Sequence, residues 1–169
     1  MRLTLTAFLV SLFIFSCSPS TTFYVVRHAE KAAPAAGTDT RDPQLSEAGK
    51  QRAAMLAAEL SGKKIRHIFV TNTIRSKSTA EPTASAFHLP MELYPPLPDS
   101  VFIKKLRSLK GNTLIVGHSN TVDNIVNQLT GQVNVPGDLA ETSYDRLYMV
   151  TLKKKRSAFR QKRYGATTP

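Results

Sequence analysis

Short apolar runs alternate with longer amphipathic segments along the chain, and this alternation predicts an α/β domain. Apolar runs of strand length lie at 23–26, 65–71, 91–94 and 113–116. The segments that follow them repeat apolar residues every three or four positions, as amphipathic helices do. Strand–helix pairs in series build a mostly parallel sheet with helices on both faces. We therefore expect a single three-layer α/β/α domain over residues 23–165.

Capping residues, glycine and proline predict where the first two helices begin and end. Ser46 is a candidate N-cap for a helix that runs to about Leu60, and Gly62 would stop it. The second helix is expected over 76–87, with an interruption near Pro82. The interruption is expected because proline removes an intrahelical hydrogen bond.

Two more helices and a hairpin complete the prediction. A third helix is expected to start at Asp99 or Ser100, and its inward-facing positions would be Phe102, Leu106 and Leu109. Ser119 or Asn120 is expected to open a fourth helix with Val122, Ile125, Val126 and Leu129 on one face, stopped by Gly131. The final strands, 146–152 and 159–164, are expected to pair across a basic turn.

The amino terminus has the pattern of an export signal. After the weakly basic start Met1-Arg2, residues 3–15 are mostly apolar but too few to span a bilayer. The run IFSC resembles a bacterial lipobox, which predicts cleavage before Cys17 and lipidation of that cysteine. An ordinary signal peptide with a stray cysteine, or a short anchor, is the alternative. We expect residues 1–16 to be a lipoprotein signal peptide and 17–22 a tether.

Cysteine usage agrees with this expectation. Cys17 is the only cysteine, so no disulfide can form within the chain, and lipidation would remove a thiol that is a liability in an exported protein. The expected location is the bacterial cell envelope, on a periplasm-facing membrane surface. The rest of the sequence has no long apolar run, so no second membrane segment is expected.

The formal net charge is +11, and favours anionic partners such as phosphorylated small molecules or acidic lipid headgroups. Much of it is concentrated at 153–156 and 160–163. A solvated hairpin turn is the ordinary explanation, with attraction to a membrane surface or a polyanion as alternatives. Nucleic acid is not an expected partner, because aromatic residues are not interleaved with the cations and no known motif is present.

Two histidines and two arginines follow predicted strands at corresponding places. Arg27-His28 ends the first strand, Arg75 follows the second, and His118 ends the strand at 113–116. Right-handed connections bring the carboxyl ends of parallel strands to one edge, where such sheets bind ligands. Arginines can bind phosphate bidentately, and a neutral imidazole can attack phosphorus. The sequence therefore predicts a phosphoryl-transfer site.

These motifs resemble the histidine phosphatase superfamily, which has the phosphoglycerate-mutase-like fold. RHAEK resembles the family's Arg-His-Gly-Glu motif, with Ala29 at the position of the glycine, and LSEAGKQRA resembles the start of its first helix. TNTIRSKSTA resembles the family's arginine segment, and GHSNT resembles its second histidine motif. The resemblance implies that His28 is the phosphorylated nucleophile. It also implies that Arg27, Arg75 and His118 form the phosphate pocket and that His118 takes part in catalysis. No metal or other cofactor is implied.

The general acid is not assigned by sequence. Acid-phosphatase relatives place an aspartate after the second histidine, where this chain has Ser119. The candidates are Asp99, Glu92 and Glu30, although Asp99 is equally suited to capping a helix and Glu30 to pairing with a cation. Some small relatives lack this acid and act on phosphoramidates or other substrates with good leaving groups.

Three functions compete at this point. An exported phosphatase that cleaves a phosphomonoester or phosphoramidate through phospho-His28 is the main hypothesis. A phosphoglycerate-type mutase is disfavoured, because the chain is short and an export signal does not suit cytosolic glycolysis. A non-catalytic protein that binds phosphorylated ligands or anionic surfaces is the alternative, motivated by the missing acid and the basic hairpin. The sequence names neither the substrate nor the oligomeric state.

Overall fold

Six strands form one sheet in the computed structural model, which describes residues 20–33, 41–154 and 156–168. In chain order the strands are β1 Thr21–Arg27, β2 Ile65–Val70, β3 Met91–Leu93, β4 Asn112–Gly117, β5 Arg146–Lys153 and β6 Arg156–Arg163. Their spatial order is β3-β2-β4-β1-β5-β6. The first four are parallel, while β5 and β6 run antiparallel to their neighbours.

Strand register brings the functional motifs to one edge of the sheet. Arg27 is opposite Gly117 across β1 and β4, and Val70 is opposite Val116 across β2 and β4. The residues that follow these strands therefore lie side by side at the carboxyl edge of the parallel strands. Because β5 is reversed, its first residues also lie at this edge, with Leu147 opposite Val26.

The helices cover both faces of the sheet and confirm the three-layer arrangement. They are α1 Glu47–Leu60, α2 Ile74–Phe87, α3 Ser100–Ser108 and α4 Val122–Thr130. One buried cluster contains Leu56 and Leu60 of α1 with Ala80 and Ala84 of α2. The opposite cluster contains residues of α3 and α4, including Phe102, Leu106, Ile125 and Leu129. Alternate residues of β1 point into these two clusters, as a strand buried on both faces requires.

The predicted boundaries hold for α1 and α3. Ser46 caps α1 by accepting a hydrogen bond from the backbone of Gly49, and Asp99 caps α3 by accepting one from Phe102. Gly131 ends α4 in the left-handed region, with φ of 73°, as predicted.

Other boundaries differ from the prediction. Helix α2 begins earlier, with Thr73 as its cap, and continues through Pro82 without interruption. Its buried Thr79, Ala80, Thr83 and Ala84 pack on the sheet, so tertiary contacts outweigh the lost backbone bond. Helix α4 is preceded by Thr121, which gives no side-chain cap, so the predicted capping by Ser119 or Asn120 is wrong. Strand β6 begins at Arg156 rather than at Phe159.

The expected signal peptide and Cys17 lie outside the described residues. Within the described ranges, no helix combines the length and the apolar character that crossing a membrane requires.

Candidate active site

His28 is held in one orientation directly after β1. Its backbone N–H donates to the carbonyl of Gly117 at 2.8 Å, which extends the pairing of β1 with β4. Its side chain is 3% exposed, and Nδ1 lies 2.8 Å from the carbonyl oxygen of Ala29. A carbonyl only accepts, so Nδ1 carries the proton and the neutral ring has its lone pair on Nε2. This is the nitrogen that can attack an electrophile.

His118 lies beside His28 at the end of β4. The two ring centroids are 5.3 Å apart in an edge-on arrangement. Nε2 of His118 is 2.8 Å from the hydroxyl of Thr71, and that hydroxyl donates to Ser76. Nε2 of His118 is therefore the donor to Thr71, which leaves Nδ1 as the nitrogen available to a ligand.

Both imidazoles are neutral at ordinary pH. Burial, followed by the positive charge of Arg27, the neighbouring His118 and Arg75, lowers the pKa of His28 to about 3. Burial and the charges of Arg75 and Arg27 lower the pKa of His118 to about 4. A neutral imidazole is the nucleophilic form, so the same cations that would attract an anion also keep His28 reactive.

Arg27 is buried beneath the segment that precedes β5. Its Nη1 donates to the carbonyls of Ala140 and Glu141, at 2.8 and 3.0 Å, and its Nη2 donates to the Glu141 carboxylate at 2.9 Å. The guanidinium carbon lies 4.4 Å from the ring centroid of Tyr144. These contacts fix the guanidinium in place. Glu141, the carboxylate that pairs with it, is itself largely exposed.

Arg75 lies in the first turn of α2 and is paired with Asp42. Its Nη1 donates to the Asp42 carboxylate at 3.0 Å. The second oxygen of that carboxylate accepts from the backbone of Ile74, at the start of the helix. The structure therefore brings the predicted nucleophile His28 and the three residues predicted for the phosphate pocket, Arg27, Arg75 and His118, to the same edge of the sheet.

Both arginines retain an unsatisfied donor. Nε of Arg27 and Nε of Arg75 are buried and have no hydrogen-bond partner among the described residues. Buried donors without partners cost free energy, and an anion with several acceptor oxygens would satisfy both. The arrangement fits a tetrahedral oxyanion held between two guanidinium groups. Within the same ranges, no cluster of three or more His, Cys, Asp or Glu residues could hold a metal ion.

The three candidate acids all have other partners. Glu30 accepts from Nε and Nη2 of Arg52, the shortest contact being 2.7 Å. Glu92 accepts from Lys105 at 2.9 Å, and Asp99 caps α3. The capping alternative considered for Asp99 is confirmed, and the cation that Glu30 pairs with is Arg52.

Sequence reasoning missed three residues around the site. Glu141 and Tyr144 contact Arg27, and Arg52 links Glu30 to the backbone carbonyls of Tyr164 and Ala166. Apart from the Arg52–Glu30 pair, which spans 22 positions, these contacts join residues more than 100 positions apart in the chain, and no local motif points to them. For Glu141 the sequence signal is its place in the connection between the last predicted helix and the strand predicted at 146–152.

Gly49 explains the close approach of α1 to the nucleophile. A Cβ atom at this position would lie 2.3 Å from the backbone oxygen of Glu30. Only glycine allows the first turn of α1 to pack against the turn that carries His28. The same turn is tied to α1 by the backbone of Ser46, which donates to the Glu30 carbonyl at 2.9 Å.

The fold is that of a three-layer α/β protein, with two histidines and two arginines gathered at the carboxyl edge of its parallel strands. Residues 23–102 match the family model of the histidine phosphatase superfamily, branch 1. Over these residues, just under half of the chain, it is similar to this superfamily, in agreement with the motifs around His28 and Arg75. Comparison with curated protein sequences gives no significant match.

Solved structures share the fold over most of their length. The protein histidine phosphatase SixA, complexed with tungstate, superposes with a TM-score of 0.67 at 23% identity, covering 84% of this chain and 96% of that one. For SixA of Agrobacterium tumefaciens the TM-score is 0.63 at 18% identity, with 88% and 99% covered. For phosphoglycerate mutase of Bacillus anthracis it is 0.59 at 13% identity, with 85% and 92% covered. Likenesses at these identities establish the fold.

Proposed function

We propose that this protein is a phosphatase that transfers a phosphoryl group to Nε2 of His28 and then to water. The observation that carries the proposal is the Nδ1–H bond of His28 to the Ala29 carbonyl, which leaves a lone pair on Nε2. The unpartnered Nε donors of Arg27 and Arg75 provide sites for phosphoryl oxygens. Tungstate, a tetrahedral oxyanion, is bound by the solved SixA protein of the same fold.

The proposed phosphatase reaction has two steps. In the first, Nε2 of His28 forms a bond to phosphorus while the bond from phosphorus to the leaving oxygen or nitrogen breaks, and the leaving group takes a proton from solvent. In the second, water attacks the phosphorus of phospho-His28 while the bond from phosphorus to Nε2 breaks, and inorganic phosphate, neutral His28 and one proton to solvent are released. Arg27 and Arg75 offset negative charge on the phosphoryl oxygens in both transition states. Positive charge from these arginines makes the proposed reaction independent of a metal ion.

His118 contributes a donor that depends on the bound phosphoryl group. In the empty pocket the arginines disfavour its protonated form. A bound dianion offsets their charge and favours imidazolium, whose Nδ1–H can then donate to a phosphoryl oxygen. This hydrogen bond is strongest when the negative charge on the phosphoryl oxygens is greatest, and catalysis by His118 requires that preference.

A phosphoramidate, such as a phosphohistidine side chain, is the substrate class that best suits this pocket. Glu30, Glu92 and Asp99 are engaged elsewhere, and the residue after His118 is Ser119 rather than an acid. A phosphoramidate nitrogen accepts its proton before cleavage, so a positioned carboxylic acid is less necessary than for an alkoxide leaving group. The solved relative described as a protein histidine phosphatase supports the same choice. Phosphomonoesters with good leaving groups are expected to react more slowly.

The expected location of the protein is part of the proposal. The lipobox-like IFSC and the single Cys17 favour a lipoprotein held on a periplasm-facing membrane of the bacterial envelope. Incorporation of labelled palmitate into the expressed chain, abolished by Cys17→Ser, tests this point separately from catalysis.

Phosphoenzyme trapping tests the catalytic proposal. The full chain is mixed with labelled phosphoramidate, and with an aryl phosphate for comparison, then quenched in alkali because phosphohistidine is labile in acid. We expect label on the protein and release of phosphate, both lost in His28→Asn. His88→Asn is the matched control, because His88 is exposed at the end of α2 in the left-handed region, which asparagine tolerates.

A negative result would favour the binding function. Tight binding of phosphate without phosphoenzyme or turnover on any substrate of the panel would identify a non-catalytic binder of phosphorylated ligands. Equal turnover by His28→Asn and the unmodified chain would reject both the nucleophile and the proposed mechanism.

A further inference from the structure

Eight exposed cations lie at the end of the sheet opposite the catalytic edge. We call them the basic face, and they are Lys63, Lys64, Arg66, Arg107, Lys110, Lys153, Lys154 and Arg156. They come from four separate parts of the chain: the α1–β2 connection, the start of β2, the end of α3 with the turn after it, and the β5–β6 hairpin. The late basic cluster noted in the sequence is therefore only one part of a larger surface.

Strand register places these segments side by side. Thr21, the first residue of β1, is opposite Leu152 of β5, and Asn112, the first residue of β4, is opposite Ile65 of β2. Lys153 is opposite Arg156 at the hairpin end. The amino ends of the parallel strands and the turn of the hairpin thus share one edge.

A cavity on the basic face is lined by cations from different segments of the chain. Its volume is about 300 Å³, and its lining includes Thr21, Arg107, Lys110 and Lys154. The aromatic residue in its lining, Phe23, is buried in the core. The cavity is therefore bordered by three cations and offers no exposed ring for stacking a base.

The described carboxylates do not neutralise this surface. None of the eight cations forms an ion pair with a carboxylate in the described ranges. Glu59, in the last turn of α1, pairs instead with Lys162 of β6. Asp42, Asp99 and Glu141 follow or precede elements at the catalytic edge. The basic face therefore keeps its positive charge.

Helix dipoles explain only some of these cations. Lys63 and Lys64 follow the carboxyl end of α1, and Arg107 donates to the last carbonyls of α4. Arg66 and Lys153 lie on strands, and Lys154 lies in the hairpin turn, where no helix end favours positive charge. The basic face is thus more than a set of helix caps.

We propose that the basic face docks on an anionic phospholipid bilayer and turns the catalytic edge away from it. Charge complementarity favours this partner, since cations near an anionic leaflet each contribute to binding. Thr21 lies at this face, and Cys17 precedes it by four residues, which span at most about 14 Å. The seven residues of β1 separate the two edges by about 20 Å, so His28 would face the aqueous phase.

This proposal does not depend on catalysis, nor on lipidation of Cys17. A nucleic acid is the competing anionic partner. The membrane is favoured over it because the cations are spread over a face bordering Thr21, without the exposed aromatic rings that bind single strands.

Vesicle co-sedimentation tests the proposal with the full chain carrying Cys17→Ser, which excludes lipidation. Binding is measured on phosphatidylcholine vesicles and on vesicles with phosphatidylglycerol, at low and high salt. We expect the apolar residues 3–15 to bind both vesicle types to the same extent, so the increment on anionic vesicles is the readout. We expect this increment to be large at low salt and to disappear at high salt.

Two matched triple variants locate the surface. Lys63→Gln, Lys110→Gln and Lys154→Asn together remove three charges from the basic face, and asparagine suits the positive φ of Lys154. Lys50→Gln, Lys104→Gln and Arg160→Gln remove three exposed charges elsewhere. The first set is expected to weaken anionic-vesicle binding by about fivefold per charge, and the second by far less.

Three results would overturn the proposal. They are equal binding to both vesicle types, equal losses in the two triple variants, and tighter binding to a duplex or single-stranded RNA than to anionic vesicles at the same salt. Urea-unfolding midpoints of both triple variants should stay close to that of the parent, which shows that they fold whether or not the protein has phosphatase activity.

Discussion

The side chains of Thr71 and His118 meet across two neighbouring strand ends, 2.8 Å apart. Thr71 follows β2 and His118 follows β4, so this contact ties together two of the motifs that form the site. The Thr71 hydroxyl in turn donates a hydrogen bond to the hydroxyl of Ser76 in α2. The orientation of His118 therefore depends on a buried hydroxyl.

Replacing that hydroxyl with a methyl group should impair catalysis. In Thr71→Val the shape is kept, but Nε2 of His118 loses its acceptor, and a buried group without its partner costs about 1–3 kcal/mol. We expect kcat/KM for a phosphoramidate to fall about 10- to 100-fold, the range that such a cost converts to. Thr71→Ser keeps the hydroxyl and should stay close to the parent. Equal activity of the valine and serine variants would contradict the positioning role.

Stability should decrease as pH falls below the ordinary histidine range. In the unfolded chain each imidazole takes up a proton near pH 6.5, whereas the folded pKa values of His28 and His118 are about 3 and about 4. Between about pH 6.5 and 4 the unfolded state thus binds more protons, so the free energy of unfolding falls as pH is lowered. Urea unfolding across this range should show a loss of a few kcal/mol that levels off below the folded pKa values.

A double variant separates these histidines from the carboxylates that also titrate in acid. His28→Asn with His118→Asn should flatten the profile between about pH 6.5 and 5, where carboxylates are still ionised. The exposed His88→Asn variant should follow the parent curve. An unchanged slope in the double variant would mean that other groups cause the acid sensitivity.

Removing the charge of Glu141 should strengthen anion binding. Its carboxylate accepts from Nη2 of Arg27 and lies 3.7 Å from Nζ of Lys31, so it offsets positive charge beside the pocket. In Glu141→Gln we expect the dissociation constant of inorganic phosphate or tungstate, measured by calorimetry, to fall severalfold. Glu47→Gln, which removes a charge from an exposed pair in α1, should have little effect.

The same variant tests whether Glu141 donates a proton. If it supplies the leaving-group proton, Glu141→Gln would lower kcat for an alkyl phosphate much more than for a phosphoramidate. Weaker phosphate binding in Glu141→Gln would contradict the proposed electrostatic competition for Arg27.

A methyl group at Gly49 should disturb the nucleophile from the neighbouring helix. The added Cβ would lie 2.3 Å from the carbonyl oxygen of Glu30. A Cβ is fixed by its own backbone and the oxygen by its own, so no rotamer change can relieve this contact. We expect Gly49→Ala to cost about 1–3 kcal/mol of unfolding free energy and to lower the rate of phosphoenzyme formation. Gly62→Ala is the control, because its Cβ would meet nothing within 4 Å. Comparable stability of the two variants would show that α1 can move away from this turn.

The fold was predictable because the sequence features that indicate it depend on residues close together in the chain. Strand-length apolar runs, the Ser46 cap, and the residues that directly follow β1, β2 and β4 each depend on neighbours in sequence. Parallel strand topology then places His28 and His118 at one edge without further information. Pro82 misled the prediction because its helical backbone is stabilised by packing on the sheet, which sequence alone does not show.

The contacts that surround the reactive groups could not be predicted in the same way. Arg52 appears in the sequence as one more arginine of an amphipathic helix, yet it is 3% exposed and bonds to Glu30 and the backbone of Tyr164. The pairing of Arg27 with Glu141 depends on the path of residues 131–145, which contain no repeating pattern. Such contacts are decided by loop geometry.

The reversed direction of β5 has a consequence for how new specificities could arise. Residues 131–145 must run the full height of the domain to enter β5 at the catalytic edge, and they are fixed at both ends. Asn127 bonds to the backbone of Val135, and the Leu139 backbone donates to the carbonyl of Ser119. Between these anchors, residues 136–138 could be lengthened without altering strand register. Natural variation or an engineer could thus change the segment that leads to Glu141 while leaving the strand ends that carry His28 and His118 untouched.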